Sequence, residues 1–331
     1  MPRGATSMAE LRFAKAINQA LADAMRDDPA VVLFGEDVAA AGGPFGVTRG
    51  LLDAFGPQRV LDAPISEAAI VGAAVGAALC GLKPVVEIMF MDFVTLAMDQ
   101  IVNQAAKARF MFGGRGSVPL VLRMPHGGGL NAGPQHSQCL EAWLAHVPGL
   151  KVVVPATAAD AYGLMRSAID DPDPVVVVEH KALYAQSETV ADALAHVPIG
   201  QAQIVRAGRD ATIVTYGALV REALGAADSL AAEGISCEVV DLRSVQPWDE
   251  TLLRASLART HRLVVAHEAV EAFGVGAEIA ARMGEVAFDD LDAPILRVGA
   301  PFMPVPFAKS LETAYRPGAE RIAAACRRLM E

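Results

Sequence analysis

Two acidic segments lie where the sequence predicts that a strand ends, a position from which a carboxylate could exchange a proton with a bound molecule. In residues 62–67 (DAPISE) a strand pattern gives way to an Ala- and Gly-rich helix pattern. Ser66 could be the N-cap of that helix, with Glu67 favoured by the positive helix end, or Glu67 could act as an acid or base. Gly35-Glu36-Asp37 follows the first predicted strand and is open to the same two interpretations.

A glycine-rich stretch followed by a histidine is the next candidate. Residues 127–133 read GGGLNAG, and His136 follows between Gln135 and Ser137. A phosphate-binding loop is excluded because no Gly-Lys-Ser/Thr follows, and no G-x-G-x-x-G lies between a predicted strand and a helix. A histidine in a polar loop can be structural or can carry a proton in a reaction, so both interpretations of His136 stay open.

The third candidate is an acidic turn, in which Asp170, Asp171 and Asp173 end a predicted helix. Such residues are ordinary in an exposed turn. However, carboxylates and the unpaired carbonyls of a helix end are also hard oxygen ligands for a cation. Signatures of several other chemistries are missing from the sequence, which contains no G-x-S-x-G, no H-E-x-x-H and no kinase motif.

The elements that must position these residues alternate between strands and helices along the whole chain. The strand candidates are continuous runs of Val, Ile and Leu, as expected for strands that are buried on both faces. The order strand, helix, strand requires right-handed crossovers and a parallel sheet covered by helices. The predicted strands are 31–35, 59–62, 84–90, 119–123, 151–154, 175–179, 212–215, 238–241, 263–265 and 295–298, and the predicted helices are 10–26, 66–81, 93–112, 158–169, 219–233, 251–257, 274–283 and 318–329.

This alternation predicts an α/β fold of two doubly wound domains with mostly parallel sheets. Around residues 185–200 the pattern lapses into a polar stretch that ends in Val-Pro-Ile-Gly, which we interpret as a linker. The predicted domains are therefore residues 1–190 and 201–331, joined by a linker at 191–200.

Composition argues against several classes of protein. The 331 residues carry a net charge of −10, whereas a nucleic-acid binder needs a basic surface to neutralise phosphates, and an anionic membrane surface would repel the chain. The longest uncharged apolar run, 68–82, is shorter than the ~20 residues of a transmembrane helix. The four cysteines lie far apart, so no metal knuckle or C-x-x-C occurs. With no secretory signal pattern at the start, we expect a cytoplasmic protein.

Several segments of the sequence follow one family pattern in the right order. They are 35–38 (GEDV), 45–51 (FGVTRGL), 64–67 (PISE), 85–107, 132–138 (AGPQHSQ), 148–153 (PGLKVV) and 241–243 (DLR). Together they resemble the beta subunit of the thiamine-diphosphate-dependent decarboxylase component of 2-oxo acid dehydrogenase complexes. The resemblance implies a transketolase-like architecture, in which a pyrimidine-binding domain precedes a C-terminal-type domain for assembly and docking.

The resemblance also implies roles for particular residues. Glu67 matches the glutamate that hydrogen-bonds the pyrimidine ring nitrogen of thiamine diphosphate and supports its imino tautomer. Phe93 matches the aromatic residue that packs on the pyrimidine, although a core position would also suit it. Glu36 and Met89 match residues close to the cofactor. His136 matches a histidine implicated in proton transfer during acyl transfer, so Glu67 and His136 are the predicted catalytic residues.

Ion sites follow from the same resemblance. A family site for a monovalent cation, built mainly from carbonyls, corresponds to Leu120, Ala168, Ile169, Asp171 and Asp173, which predicts K⁺ in this chain. Thiamine-diphosphate enzymes hold Mg²⁺ and the diphosphate with a Gly-Asp-Gly motif, and that motif does not occur in this sequence. The resemblance therefore predicts that an alpha subunit holds Mg²⁺ in an α₂β₂ heterotetramer.

The predicted function is the beta half of an enzyme that oxidatively decarboxylates a 2-oxo acid, pyruvate or a branched-chain one. The acyl group would pass to the lipoyl domain of dihydrolipoyl transacylase. The alternatives are an acetoin dehydrogenase beta subunit, a split transketolase-type ketol transferase and a non-catalytic docking scaffold. Retention of Glu67 together with His136 disfavours the scaffold, and the QHSQ and DLR segments favour the dehydrogenase group over a ketol transferase.

Overall fold

The computed structural model describes residues 8–191 and 194–331, which form two compact units. The first unit contains residues 8–125 and Val147–Ile199, and the second contains His126–His146 and Gly200–Glu331. The chain thus enters the second unit twice, first with a segment that the sequence places inside the first domain. Residues 192–193 of the predicted linker lie outside the described residues. Within the described part of the chain, no helix is long and apolar enough to cross a membrane.

The first unit contains a parallel sheet and the helices that follow its strands. Val31, Val32 and Leu33 are all buried, as their uninterrupted apolar sequence predicts. The elements of this unit are β1 (Met8–Arg12), α1 (Phe13–Asp27), β2 (Val31–Gly35), α2 (Leu51–Phe55), β3 (Val60–Asp62), α3 (Glu67–Leu79), β4 (Lys83–Glu87), α4 (Ala106–Met111), β5 (Val121–His126), β6 (Lys151–Val153), α6 (Ala158–Asp170), β7 (Val175–His180) and β8 (Ser187–Ala191). The strand order in this sheet is β6-β7-β5-β4-β2-β3.

The second unit contains a five-stranded sheet of order β14-β13-β10-β11-β9, in which only β9 runs antiparallel to its neighbour. Its core joins Ile213, Val239 and Val264 of the sheet to Leu219 and Ile322 of two helices. The elements of this unit are α5 (Glu141–Ala145), β9 (Gln203–Arg206), β10 (Ala211–Thr215), α7 (Leu219–Ala232), β11 (Cys237–Asp241), β12 (Ser244–Gln246), α8 (Glu250–Thr260), β13 (Leu263–Val270), α9 (Val275–Val286), β14 (Leu296–Ala300), α10 (Lys309–Tyr315) and α11 (Ala319–Met330).

Two predicted helices of the first unit differ from the structure. The predicted helix 10–26 begins only at Phe13, because the preceding residues form β1, which pairs antiparallel with β8 in the stretch interpreted as the start of the linker. The predicted helix 93–112 is divided into a 3₁₀ segment (Met91–Ala97), a π segment (Gln100–Ala105) and α4. Such π segments inside helices occur frequently at functional sites.

Candidate active site

Acidic side chains gather at the carboxyl edge of the first sheet. Glu36 follows β2 directly, Glu67 begins the helix after β3, and Glu87 is the last residue of β4. These strands are parallel, so their carboxyl ends lie at one edge of the sheet, where α/β proteins usually bind ligands. The sheet therefore assembles in space three carboxylates that are spread over about fifty residues of sequence.

Glu36 and Glu67 are both buried, with 8% and 6% of their surface exposed. Burial raises the pKa of Glu36 above its usual value, and the negative charges of Glu67 and Asp37 raise it further. Among the described residues, Oε1 of Glu36 has no hydrogen-bond partner. Ser66 precedes α3, yet its side chain makes no capping bond to a described residue. The pair is therefore a buried, mutually repelling set of carboxylates with unused hydrogen-bonding capacity.

The loop after Glu36 is fixed by Asp62 at the end of β3. Its two carboxylate oxygens accept the N–H groups of Ala39 at 2.7 Å and Ala40 at 3.1 Å. Gly35 allows a close approach to β4, because a Cβ at this position would lie 2.9 Å from the carbonyl oxygen of Glu87. Asp62 therefore has a structural role, because it anchors the backbone that follows Glu36.

Aromatic side chains lie in the same unit. The rings of Phe90 and Phe93 meet edge to face with centroids 5.8 Å apart, and Phe45 contacts Phe90 at 5.9 Å. Phe45 also stacks on Tyr184 at 5.0 Å. Met89 is half-buried immediately before Phe90. Phe93 is half-buried in the 3₁₀ segment, so its ring is not enclosed in the core.

A fully buried ion cluster, which the sequence did not indicate, lies among the strands of this sheet. Arg123 of β5 donates to Glu179 of β7 at 2.8 and 2.7 Å and to Glu87 of β4 at 2.5 Å. The hydroxyl of Tyr184 donates to Glu179 at 2.7 Å. Burial raises the pKa of Glu87, whereas the charge of Arg123 lowers it. Arg123 thus pairs with two carboxylates, and each of the three side chains is at most 3% exposed.

The predicted cation residues lie where α6 ends and β7 begins. Leu120, Ala168 and Ile169 are buried, and the carbonyl of Leu120 accepts the N–H of Val175 at 2.9 Å. Lys151 donates to both carboxylate oxygens of Asp171, at 2.7 and 2.6 Å.

Asp173 forms an ion pair with Arg109. Basic side chains thus neutralise both carboxylates, and a cation at this place would be held by backbone carbonyls, each of which retains a second lone pair.

His136 lies in a loop of the second unit. It is half-buried, and its N–H donates to the carbonyl of Gly133 at 3.3 Å. Its neighbours Gln135, Ser137 and Gln138 line a cavity of about 530 Å³ in this unit, and Glu268 lies on the same wall. The loop histidine thus belongs to a polar, cavity-lining segment.

Close to this loop, three side chains of types that commonly bind metal ions lie near one another. One ligand atom each of His126, Cys139 and Glu141 lies within 4.8 Å of the others. Tyr216 donates to Oε1 of Glu141 at 2.8 Å. Burial raises the pKa of Glu141 to about 7, the bond from Tyr216 lowers it, and the charge of Glu268 raises it. From the sequence, His126 is a lone histidine before a glycine run, a type of residue that is more often structural than catalytic, and no motif points to Glu141.

Two family descriptions together match most of the chain. The family description "Transketolase, pyrimidine binding domain" matches residues 9–186, and "Transketolase, C-terminal domain" matches residues 200–322. The chain belongs to the transketolase family. A solved structure titled "Split gene transketolase, inactive beta4 tetramer" has the same fold, with a TM-score of 0.81 at 24% identity over 97% of this chain and 98% of that one.

Sequence relatives place this transketolase-family chain among beta subunits. It is 47% identical to "Pyruvate dehydrogenase E1 component subunit beta-2, mitochondrial" of Oryza sativa subsp. japonica, over 96% of this chain and 86% of the relative. It is 46% identical to "Acetoin:2,6-dichlorophenolindophenol oxidoreductase subunit beta" of Cupriavidus necator, over 97% of this chain and 98% of the relative. The family resemblance and the α/β fold expected from the sequence are both confirmed.

The predicted site residues of this transketolase-family chain divide between the two units. Glu36, Glu67, Met89 and Phe93 belong to the first unit, as do all the predicted cation residues. His136 belongs to the second. The carboxylates and the aromatic residues therefore belong to one unit, whereas the histidine is positioned by the loop that follows β5.

Proposed function

We propose that this chain is the beta half of a 2-oxo acid dehydrogenase decarboxylase component, acting on pyruvate or a branched-chain 2-oxo acid with an alpha subunit. The observation that carries the proposal is the buried Glu36–Glu67 pair at the carboxyl edge of the sheet. A carboxylate pair that is desolvated and mutually repelling is suited to sharing a proton with a bound base, a typical arrangement for proton control. The beta-subunit relatives give the reaction class.

The residues present fit the aminopyrimidine of thiamine diphosphate. Oε1 of Glu36 is buried without a described hydrogen-bond partner, and Glu67 offers a second buried carboxylate. The edge-to-face rings of Phe90 and Phe93 offer an aromatic surface for a flat ring. When bound, thiamine diphosphate supplies the electron sink on which decarboxylation depends.

Each side chain then has a distinct task. Glu67 holds a proton at a ring nitrogen of the pyrimidine, and this contact sets the tautomer of the ring. Glu36 keeps the neighbourhood of Glu67 negative, and Met89 with Phe93 excludes water from the ring. His136 moves a proton during acyl transfer.

The partners follow from the family and from the motifs of the chain. The Gly-Asp-Gly motif that holds Mg²⁺ and diphosphate is absent from this sequence, so we propose that an alpha subunit supplies it in an α₂β₂ heterotetramer. The lipoyl domain of dihydrolipoyl transacylase would accept the acyl group. A cytoplasmic location stays a prediction, since the rice relative is named as mitochondrial. We also propose that K⁺ binds in this chain. Its ligands would be the carbonyls of Leu120, Ala168 and Ile169, close to Asp171 and Asp173.

Acetoin is the second candidate substrate. The Cupriavidus necator relative is named as an acetoin oxidoreductase subunit, and the chain covers 98% of its length. Both substrates present a carbonyl carbon next to the bond that breaks, so the residues of this chain could serve either of them.

The test is reconstitution of the full chain with its alpha subunit, followed by assays on pyruvate, two branched-chain 2-oxo acids and acetoin with dye or lipoyl domain as acceptor. We expect turnover of one substrate class by the pair, and none by this chain alone with thiamine diphosphate and Mg²⁺. Decarboxylation by the isolated chain would contradict the half-site proposal. A pair that uses only ketol donors, with no dependence on an oxidising acceptor, would favour a ketol transferase instead.

A further inference from the structure

The cluster of His126, Cys139 and Glu141 has no part in the proposed reaction. Its members come from three places in the second unit: the end of β5, the loop that follows, and the first residue of α5. One ligand atom of each lies within 4.8 Å of the others, and Nδ1 of His126 is 3.7 Å from Oε2 of Glu141. This last separation is too long for a hydrogen bond.

We propose that His126, Cys139 and Glu141 bind a divalent transition metal of the zinc type. One imidazole, one thiolate and one carboxylate form a borderline-soft donor set, which suits Zn²⁺. Mg²⁺ and Ca²⁺ prefer oxygen ligands throughout, and this set does not provide them. Ligand atoms around a tetrahedral Zn²⁺ lie roughly 3.4 Å apart, as follows from bonds of about 2.0–2.3 Å. The three side chains therefore need to close by about an ångström, which rotation about their side-chain bonds can supply.

A second observation points to a ligand at this place. Glu141 is 0% exposed, and Oε2, the oxygen that faces His126, has no hydrogen-bond partner among the residues that the structure describes. A buried carboxylate oxygen without a partner is costly unless something else satisfies it. A bound cation would supply that missing interaction.

The surroundings resemble those of a metal site that keeps an open position. Tyr216 donates to Oε1 at 2.8 Å and so fixes the orientation of the Glu141 carboxylate, as outer-shell partners do for metal ligands. Cys139 also lines the cavity of about 530 Å³, together with Glu268. Three protein ligands with a fourth position open to a cavity are typical of sites where water or a small molecule completes the coordination.

Local charge favours a cation as well. Oε2 of Glu268 accepts from Arg316 at 3.0 Å, so the positive charge of this nearby guanidinium is already paired with a carboxylate. Oε1 of Glu268 accepts the N–H of Gly128 at 2.6 Å. Binding would convert the Cys139 thiol to a thiolate and release its proton to buffer. The metal would thus add positive charge where Glu141 and the thiolate supply two negative charges.

The site can be tested on the full-length chain, alone and reconstituted with its alpha subunit. After chelation and dialysis, one equivalent of Zn²⁺ per chain should bind in calorimetry, and Co²⁺ should give a thiolate-to-cobalt charge-transfer band. Cys139→Ser should remove the band, and Tyr216→Phe should weaken binding about 10–100-fold through the carboxylate that it orients. The exposed Cys80→Ser and His146→Asn are matched controls that should leave both readouts unchanged.

Several results would overturn the proposal. These are the absence of stoichiometric Zn²⁺ binding, a charge-transfer band that survives Cys139→Ser, and a band that is lost in Cys80→Ser. If Cys139→Ser does not fold, the wild-type band together with the Tyr216→Phe affinity decides the question. An unchanged affinity in Tyr216→Phe would then count against Glu141 as a ligand. Metal binding is read without turnover, so failure of the proposed decarboxylation leaves this test unaffected.

Discussion

Glu67→Gln should separate catalysis from folding. The side chain keeps its size and its place at the first residue of α3, but it loses the charge and the ability to share a proton. A negative charge at a helix N-terminus is worth about 0.3–1 kcal/mol. Removing it also relieves the repulsion that raises the pKa of Glu36, which partly offsets this loss. We therefore expect a change in unfolding free energy of at most about 1 kcal/mol.

The effect on the reaction should be much larger. Loss of a positioned acid–base group lowers rates about 10²–10⁴-fold, equivalent to roughly 3–5 kcal/mol of activation free energy. The mutant should be reconstituted with the alpha subunit, and both decarboxylation and hydrogen–deuterium exchange at the thiazolium carbon should be measured. Glu320→Gln, the same change in the first turn of α11, is the matched control and should retain full turnover. In the mutant, the pKa of Glu36 should also move down toward its usual value.

Near-normal turnover and exchange in Glu67→Gln would refute this reasoning and leave Glu67 as a helix-end residue. A stability loss of several kcal/mol would refute it in another way, since the carboxylate would then be part of the folded core. A fall in thiamine diphosphate affinity with unchanged exchange in the bound state would assign Glu67 to binding alone.

Three further predictions concern stability. Arg123→Met removes the cation between Glu87 and Glu179, although Glu179 keeps the hydrogen bond from Tyr184. The unfolding free energy in urea titrations should fall by about 3–5 kcal/mol, because both buried carboxylates lose the charge that neutralises them; a loss below about 1 kcal/mol would contradict this. Burial lowers the pKa of His267 from 6.5 to about 4, so the unfolded state takes up a proton first as pH falls. Stability should therefore decline between pH 6.5 and about 4, by roughly 3 kcal/mol from this group; His267→Gln should flatten that part of the pH profile, and an unchanged profile would exclude His267 as its origin. If K⁺ binds near Asp171, melting temperatures should be higher in potassium than in choline at equal ionic strength, as mass action requires; equal values would remove the case for the site.

The sequence alone determined the class of fold and the family. Uninterrupted apolar runs such as 31–35 and 175–178 indicate strands of a covered parallel sheet, because a strand that is buried on both faces needs apolar residues at every position. Short motifs such as PISE at 64–67 and QHSQ at 135–138 consist of consecutive residues, so they can be recognised in the sequence without coordinates. Glu36 and Glu67 were found in this way because strand ends are visible in the pattern.

Only the tertiary structure decided which distant residues meet. β1 pairs with β8 across about 180 residues, and Arg123 meets Glu87 and Glu179, which lie 36 and 56 residues away. Local periodicity carries no information about such pairings, because it reports which face of an element is apolar and not what covers that face. For the same reason the sequence could not show that segment 126–146 leaves the first unit, or that His126 and Glu141 meet within it. Their ligand-like arrangement exists only because the chain turns back on itself between β5 and α5.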